Sequence, residues 1–72
     1  MSGVKVWHCG TSDGEVYGVG ADTASDARRY LNDRLQRELA EDPTVGVRTI
    51  ERTVYVGRDS AGSWSVGSVL LY

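Results

Sequence analysis

The chain has 72 residues, a formal net charge of −2 and one cysteine. This length predicts a single domain, 1–72, and the small acidic charge gives no overall attraction to nucleic acid or to an anionic membrane. A lone cysteine cannot build a disulfide framework or hold a zinc ion by itself. No apolar run resembles a signal peptide or approaches the ~20 residues of a membrane span, so we expect a soluble, cytoplasmic protein.

A β-hairpin is predicted at the start of the chain. Residues 4–9, VKVWHC, and 15–20, EVYGVG, are the strands, and the cluster at 10–14 ends in Asp-Gly, which is typical of a turn. Gly18 and Gly20 predict a bend, a bulge or a close approach of another element in the second strand.

An amphipathic helix over residues 23–41 is the clearest element of the sequence. Asp22 or Thr23 can cap its start, and Pro43 forces the chain out of helical geometry at its end. Apolar residues recur at helical spacing and form one arc, Ala24, Ala27, Leu31, Leu35 and Leu39. On the other side a ladder of alternating charge is predicted, Arg29, Asp33 and Arg37.

Two further strands are predicted after the helix, over 47–57 and 63–72. The order ββαββ indicates an α+β fold in which a four-stranded, mainly antiparallel sheet carries one helix on one face. Two strand orders are compatible with the sequence. The third strand pairs either with the first, which makes every pair antiparallel, or with the second in parallel; we prefer the first order.

Alternation along the strands sorts the side chains into two faces. If Lys5, Glu15 and Glu51 face water, the helix covers the other face. The predicted helix-facing residues are Val4, Val6, His8, Val16, Ile50, Val54, Val56, Trp64, Val66 and Leu70. The predicted uncovered face carries, besides the three charged residues, Trp7, Tyr17, Thr49, Thr53, Tyr55, Val69 and Leu71.

Aromatic residues on an uncovered sheet face are typical of a binding surface, although cross-strand pairing alone can also explain them. We therefore predict a small non-catalytic protein-interaction module that binds a protein or a second copy through this face or through an edge strand. The size fits an inhibitor or adaptor of the kind that phages and mobile elements encode. The predicted partner-binding residues are Trp7, Tyr17, Thr53, Tyr55 and Leu71.

The sequence offers little for catalysis, for a metal ion or for a cofactor, and we predict none of them. His8 and Cys9 are adjacent in a strand and should point to opposite faces, which keeps the thiol from the imidazole. Gly18 and Gly20 precede the helix as in a phosphate-binding turn, but Thr23 stands where a third glycine is needed.

The alternative function is nucleic-acid binding through the arginines of the helix and strands. Trp7, Tyr17 and Tyr55 could stack on single-stranded bases if arginines shared their face. Simple alternation instead puts three strand arginines on the opposite face, Arg48, Arg52 and Arg58.

Overall fold

The elements follow the predicted ββαββ order. The computed structural model describes residues 3–59 and 65–71. Its elements are β1 (Val4–Thr11), β2 (Val16–Gly20), α1 (Ala24–Glu41), a 3₁₀ helix (Pro43–Val45), β3 (Ile50–Asp59) and β4 (Val69–Leu71). The predicted α+β class, one helix on a four-stranded antiparallel sheet, is confirmed.

The strand order is β3-β1-β2-β4, and each neighbouring pair is antiparallel. This is the preferred of the two predicted orders. The first hairpin forms the centre of the sheet, and α1 carries the chain across it so that β3 pairs with β1. β3 and β4 therefore form the two edges of the sheet among the described residues.

The last two strands differ from their predicted bounds. β3 covers Ile50–Asp59 rather than the predicted 47–57, and residues 47–49 follow the 3₁₀ helix and Gly46 without regular secondary structure. β4 covers only Val69–Leu71, whereas a strand was predicted over 63–72. Part of that predicted strand, including Trp64, lies outside the described residues. Residues 65–68 form a turn, in which the Ser68 amide donates to the Ser65 carbonyl at 3.0 Å.

Both ends of α1 follow the local sequence signals. The Thr23 hydroxyl accepts the amide of Asp26 at 3.1 Å and so caps the first turn. At the other end Asp42 is extended, with φ −143°, as expected for a residue before proline. Hydrogen bonds from the Thr44 hydroxyl and amide lower the pKa of the Asp42 carboxyl.

The core lies between α1 and the face of the sheet that was predicted to be uncovered. Its fully or nearly fully buried hydrophobic members are Cys9, Tyr17, Val19, Ala21, Ala27, Leu31 and Leu35. Trp7, Ile50 and Val69 pack against this cluster. The predicted assignment of the two faces is therefore inverted for β1, β2 and β4 and for Thr53, Val54 and Tyr55 of β3, whereas Ile50 is on its predicted side.

The two faces were assigned wrongly because the assignment relied on Lys5, Glu15 and Glu51, which lie at strand ends or in a register shift. Glu15 precedes β2, and Lys5 lies near the end of β1 on the helix side of the sheet. Glu51 falls in a register shift, where Gly10 is opposite Arg52 but Thr11 is opposite Ile50. A charge at a strand end or in a bulge is solvated on either face, so it does not report which face is buried.

The predicted charge ladder on the outer side of α1 is also wrong. Arg29 pairs with Asp26 at 2.8 Å, and Arg34 pairs with Glu38 at 3.1 Å. Within the described residues, Asp33 and Arg37 enter no ion pair. Arg29 therefore pairs with an aspartate on its N-terminal side instead of with Asp33, and the i, i+4 pair in the second half of the helix is Arg34–Glu38 instead of Asp33–Arg37.

Candidate functional site

The five predicted partner-binding residues do not form one exposed surface in the structure. Tyr17 is only 5% exposed and belongs to the core, so its predicted place on a free surface is wrong. Trp7 and Thr53 are half-buried on the helix side of the sheet. Tyr55 is exposed, and Leu71 pairs through its backbone with Tyr17. Only Trp7 and Tyr55 therefore remain together as an accessible aromatic pair.

Tyr17 takes part in a partly buried polar network that sequence reasoning missed. Arg48 Nη1 donates to the Tyr17 hydroxyl at 3.0 Å, and Nη2 donates to Glu38 Oε1 at 2.9 Å. Only 10% of the Arg48 side chain is exposed. The other oxygen of Glu38 accepts from Arg34 Nε at 3.1 Å. This network joins β2, the last turns of α1 and the segment before β3.

The electrostatics of this network follow from its contacts. Hydrogen bonds from Arg48 and then Arg34 lower the pKa of Glu38, and the bond from Glu38 raises the pKa of Arg48. Burial raises the pKa of the Tyr17 hydroxyl, and the Arg48 charge only partly opposes that effect. Arg48 is therefore held inside the structure and is not a free cation for a ligand.

Trp7 and Tyr55 meet across β1 and β3 as a directly opposed pair. Their ring centroids are 5.1 Å apart and the rings are tilted by 58°. The Trp7 indole N–H donates to the Ala21 carbonyl at 2.9 Å, which fixes the orientation of the ring. With Lys5, the two rings line an open, shallow cavity of about 340 Å³.

The outer edge of β3 is the second exposed feature. Three successive hydrophobic residues at its centre are half-exposed, Val54 at 42%, Tyr55 at 49% and Val56 at 51%. Val54 is opposite His8 and so lies on the side away from the helix, whereas Tyr55 lies on the helix side. In the described part of the chain no strand lies beyond β3, so its outward backbone groups have no strand partner.

His8 and Cys9 lie on opposite sides of β1, because Cys9 is in the core beneath α1. Burial raises the pKa of the Cys9 thiol, and the Thr53 hydroxyl and the Arg28 charge offset this only in part. A thiol with a raised pKa is a poor nucleophile at neutral pH. Among the described residues no group of three or more His, Cys, Asp and Glu residues could hold a metal ion.

Comparison of the chain with protein-family models, with curated protein sequences and with solved structures gave no match. No helix in residues 3–59 and 65–71 is long and apolar enough to cross a bilayer. The candidate functional surfaces therefore rest on the geometry of this chain, and they are the edge of β3 and the Trp7–Tyr55 cavity.

Proposed function

We propose that the chain is a small, non-catalytic protein-interaction module that self-associates through the outer edge of β3. The observation that carries this proposal is the ten-residue edge strand with three half-exposed hydrophobic residues at its centre. An exposed edge strand offers a row of backbone donors and acceptors that another strand can complete. Self-association was one of the two forms of interaction that the sequence predicted.

The charge pattern of β3 favours pairing at its centre. Glu51 and Arg52 stand near one end of the strand and Arg58 near the other, whereas residues 53–56 carry no charge. Charged residues on an edge oppose pairing, and an uncharged centre does not. A two-fold axis through Val54 sets Thr53 opposite Tyr55, in the part of β3 that precedes the register shift after Tyr55. No like charges then face each other along the pair.

The size of the chain also favours self-association. A chain of this length buries only roughly 60% of the surface that its unfolded form exposes, and such small domains are often completed by oligomerisation. Pairing of β3 with β3 of a second copy would join two four-stranded sheets into one. An inhibitor or adaptor role would use the same backbone groups on a strand of a target protein.

Analytical ultracentrifugation of the full chain tests the proposal. We expect the wild type to sediment as a dimer and the double variant Val54→Lys/Val56→Lys to sediment as a monomer, because lysines at the centre of the pair repel each other. Val47→Lys is the matched control, since Val47 is 79% exposed and lies outside β3. It should remain a dimer.

Circular dichroism should show that all three proteins are folded. A wild type that stays monomeric up to millimolar concentration would contradict self-association. A dimer that survives the double substitution would place the interface elsewhere on the molecule.

A further inference from the structure

We infer that the Trp7–Tyr55 cavity and the two cations beside it bind single-stranded nucleic acid. The aromatic pair supplies surfaces on which a base can stack, and Lys5 and Arg58 supply positive charge for the backbone phosphates. Pairing at the β3 edge uses backbone groups, so this inference does not require the dimer, although the side chain of Tyr55 belongs to both surfaces. It depends on a β-bulge that alternation in the sequence does not reveal.

The bulge brings Arg58 to the aromatic side of the sheet. Val6 is opposite Gly57, yet Trp7 is opposite Tyr55, so Val56 is an extra residue without a partner on β1. Beyond this point the alternation of β3 is reversed. Arg58, which simple alternation put on the face away from Tyr55, is directly opposite Lys5. Opposed residues of an antiparallel pair point to the same face, with Cβ atoms about 5 Å apart.

The two cations are available for a ligand. Arg58 Nη1 donates to the Gly3 carbonyl at 2.9 Å, which positions the guanidinium, and a guanidinium has five N–H donors in all with which it can also bind a phosphate. Lys5 lines the cavity together with Trp7 and Tyr55. Neither cation enters an ion pair with the side chains of residues 3–58 and 65–70. By contrast, Arg29, Arg34 and Arg48 are each neutralised by a carboxylate.

The aromatic walls suit a nucleobase better than an aliphatic side chain. Tyr55 is half-exposed, and the Trp7 ring is held in place by its bond to Ala21, so the stacking surface is formed before the ligand arrives. The cavity of about 340 Å³ is open to solvent, so a base can reach the two rings. Aromatic stacking combined with nearby cations is the usual basis of sequence-tolerant single-strand binding. Because the chain has a net charge of −2, we expect single-strand binding to be confined to this local site and to involve few phosphate contacts.

Fluorescence anisotropy with a labelled dT12 oligonucleotide tests the inference on the full chain across a series of salt concentrations. Two phosphate contacts predict a slope of log K against log salt of about −1.4, from about −0.7 per contact for single strands. Lys5→Ser and Arg58→Ser should each reduce the magnitude of this negative slope by about 0.7, because each removes one phosphate contact. Tyr55→Ala should weaken binding at least about fivefold.

Arg37→Ser is the matched control. Arg37 is exposed on α1 and makes no ion pair in the described part of the chain, so its loss should leave the slope and the affinity unchanged. In a Trp64→Phe background, Trp7 is the only tryptophan and its emission should be quenched as dT12 binds.

Three outcomes would overturn the inference. They are no binding at 20 mM salt, equal binding by Tyr55→Ala and wild type, and a loss on Arg37→Ser as large as that on Arg58→Ser. The Val54→Lys/Val56→Lys monomer should still bind dT12, which separates this site from the proposed dimer.

Discussion

Arg48 connects three parts of the molecule through one side chain. It reaches Tyr17 on β2 and Glu38 on α1 from the segment before β3. Among the described residues its Nε is buried without a hydrogen-bond partner. A buried donor with no acceptor weakens the fold, and the ion pair with Glu38 and the hydrogen bond to the Tyr17 hydroxyl oppose that cost. Nothing in the local sequence around Arg48 indicates this role, because both of its partners are more than nine residues away.

We expect Glu38→Gln to reduce the loss of stability in acid. The pKa of Glu38 is lowered in the folded chain, so its contacts stabilise the fold above the ordinary glutamate value of 4.5. That stability is lost as the pH falls below this value and through the lower folded pKa. Urea unfolding followed from pH 6 to pH 2.5 measures the effect. The wild type should lose more stability over this range than the variant.

Asp13 and Asp42 also have lowered pKa values, and they remain in both proteins. Glu41→Gln is the control, because Glu41 ends the same helix and makes no ion pair within the described residues. It should keep the pH dependence of the wild type. If Glu38→Gln does the same, the contacts with Arg48 and Arg34 add no stability.

At the scale of elements, the sequence predicts α1 far better than it predicts the sides of the sheet. The helix contains its own signals, a capping threonine, an apolar arc and a proline after its end. Its predicted bounds of 23–41 match Ala24–Glu41 with its cap at Thr23. A strand contains only its alternation, and two register shifts in β3 break that alternation. Which side of a strand is buried depends on how the strand pairs with its neighbours, and the local sequence does not contain that information.

Removing the cap should destabilise the protein measurably. Thr23→Ala leaves the amide of Asp26 without its side-chain acceptor, and we expect a loss of about 1 kcal/mol in the free energy of unfolding. Thr23→Ser keeps a hydroxyl at the same position and should stay close to the wild type. Chemical denaturation of the three proteins at one concentration makes the comparison. Equal losses in both variants would show that the hydroxyl is not the stabilising group.

At the scale of the whole molecule, the class and the element order were predicted from the sequence, and the all-antiparallel arrangement was the preferred of two predicted strand orders. These features depend on patterns that span many residues and tolerate local errors. The candidate surfaces were predicted only in part, because each depends on one or two residues. Tyr17 lies in the core, because the helix covers the face that was predicted to be free. Arg58 lies on the same face of the sheet as Trp7, because Val56 is an extra residue in β3.

Two leucines distinguish the observed core from the predicted one. Leu31 is fully buried on α1, whereas Leu70 on β4 is 52% exposed, although the sequence pattern placed it against the helix. We expect Leu31→Ala to cost about 2–5 kcal/mol, because it removes buried methyl groups and leaves a cavity. Leu70→Ala should cost less than about 1 kcal/mol, because half of its surface is already in water. Since a domain of this size has on the order of 5 kcal/mol of stability, the first variant should be close to unfolding at 25 °C.

Urea titrations in the Val54→Lys/Val56→Lys background keep any dimer from contributing to the measured stability. Comparable losses at the two positions would mean that both faces of the sheet are buried, and a larger loss at Leu70 would restore the face that the sequence pattern predicted.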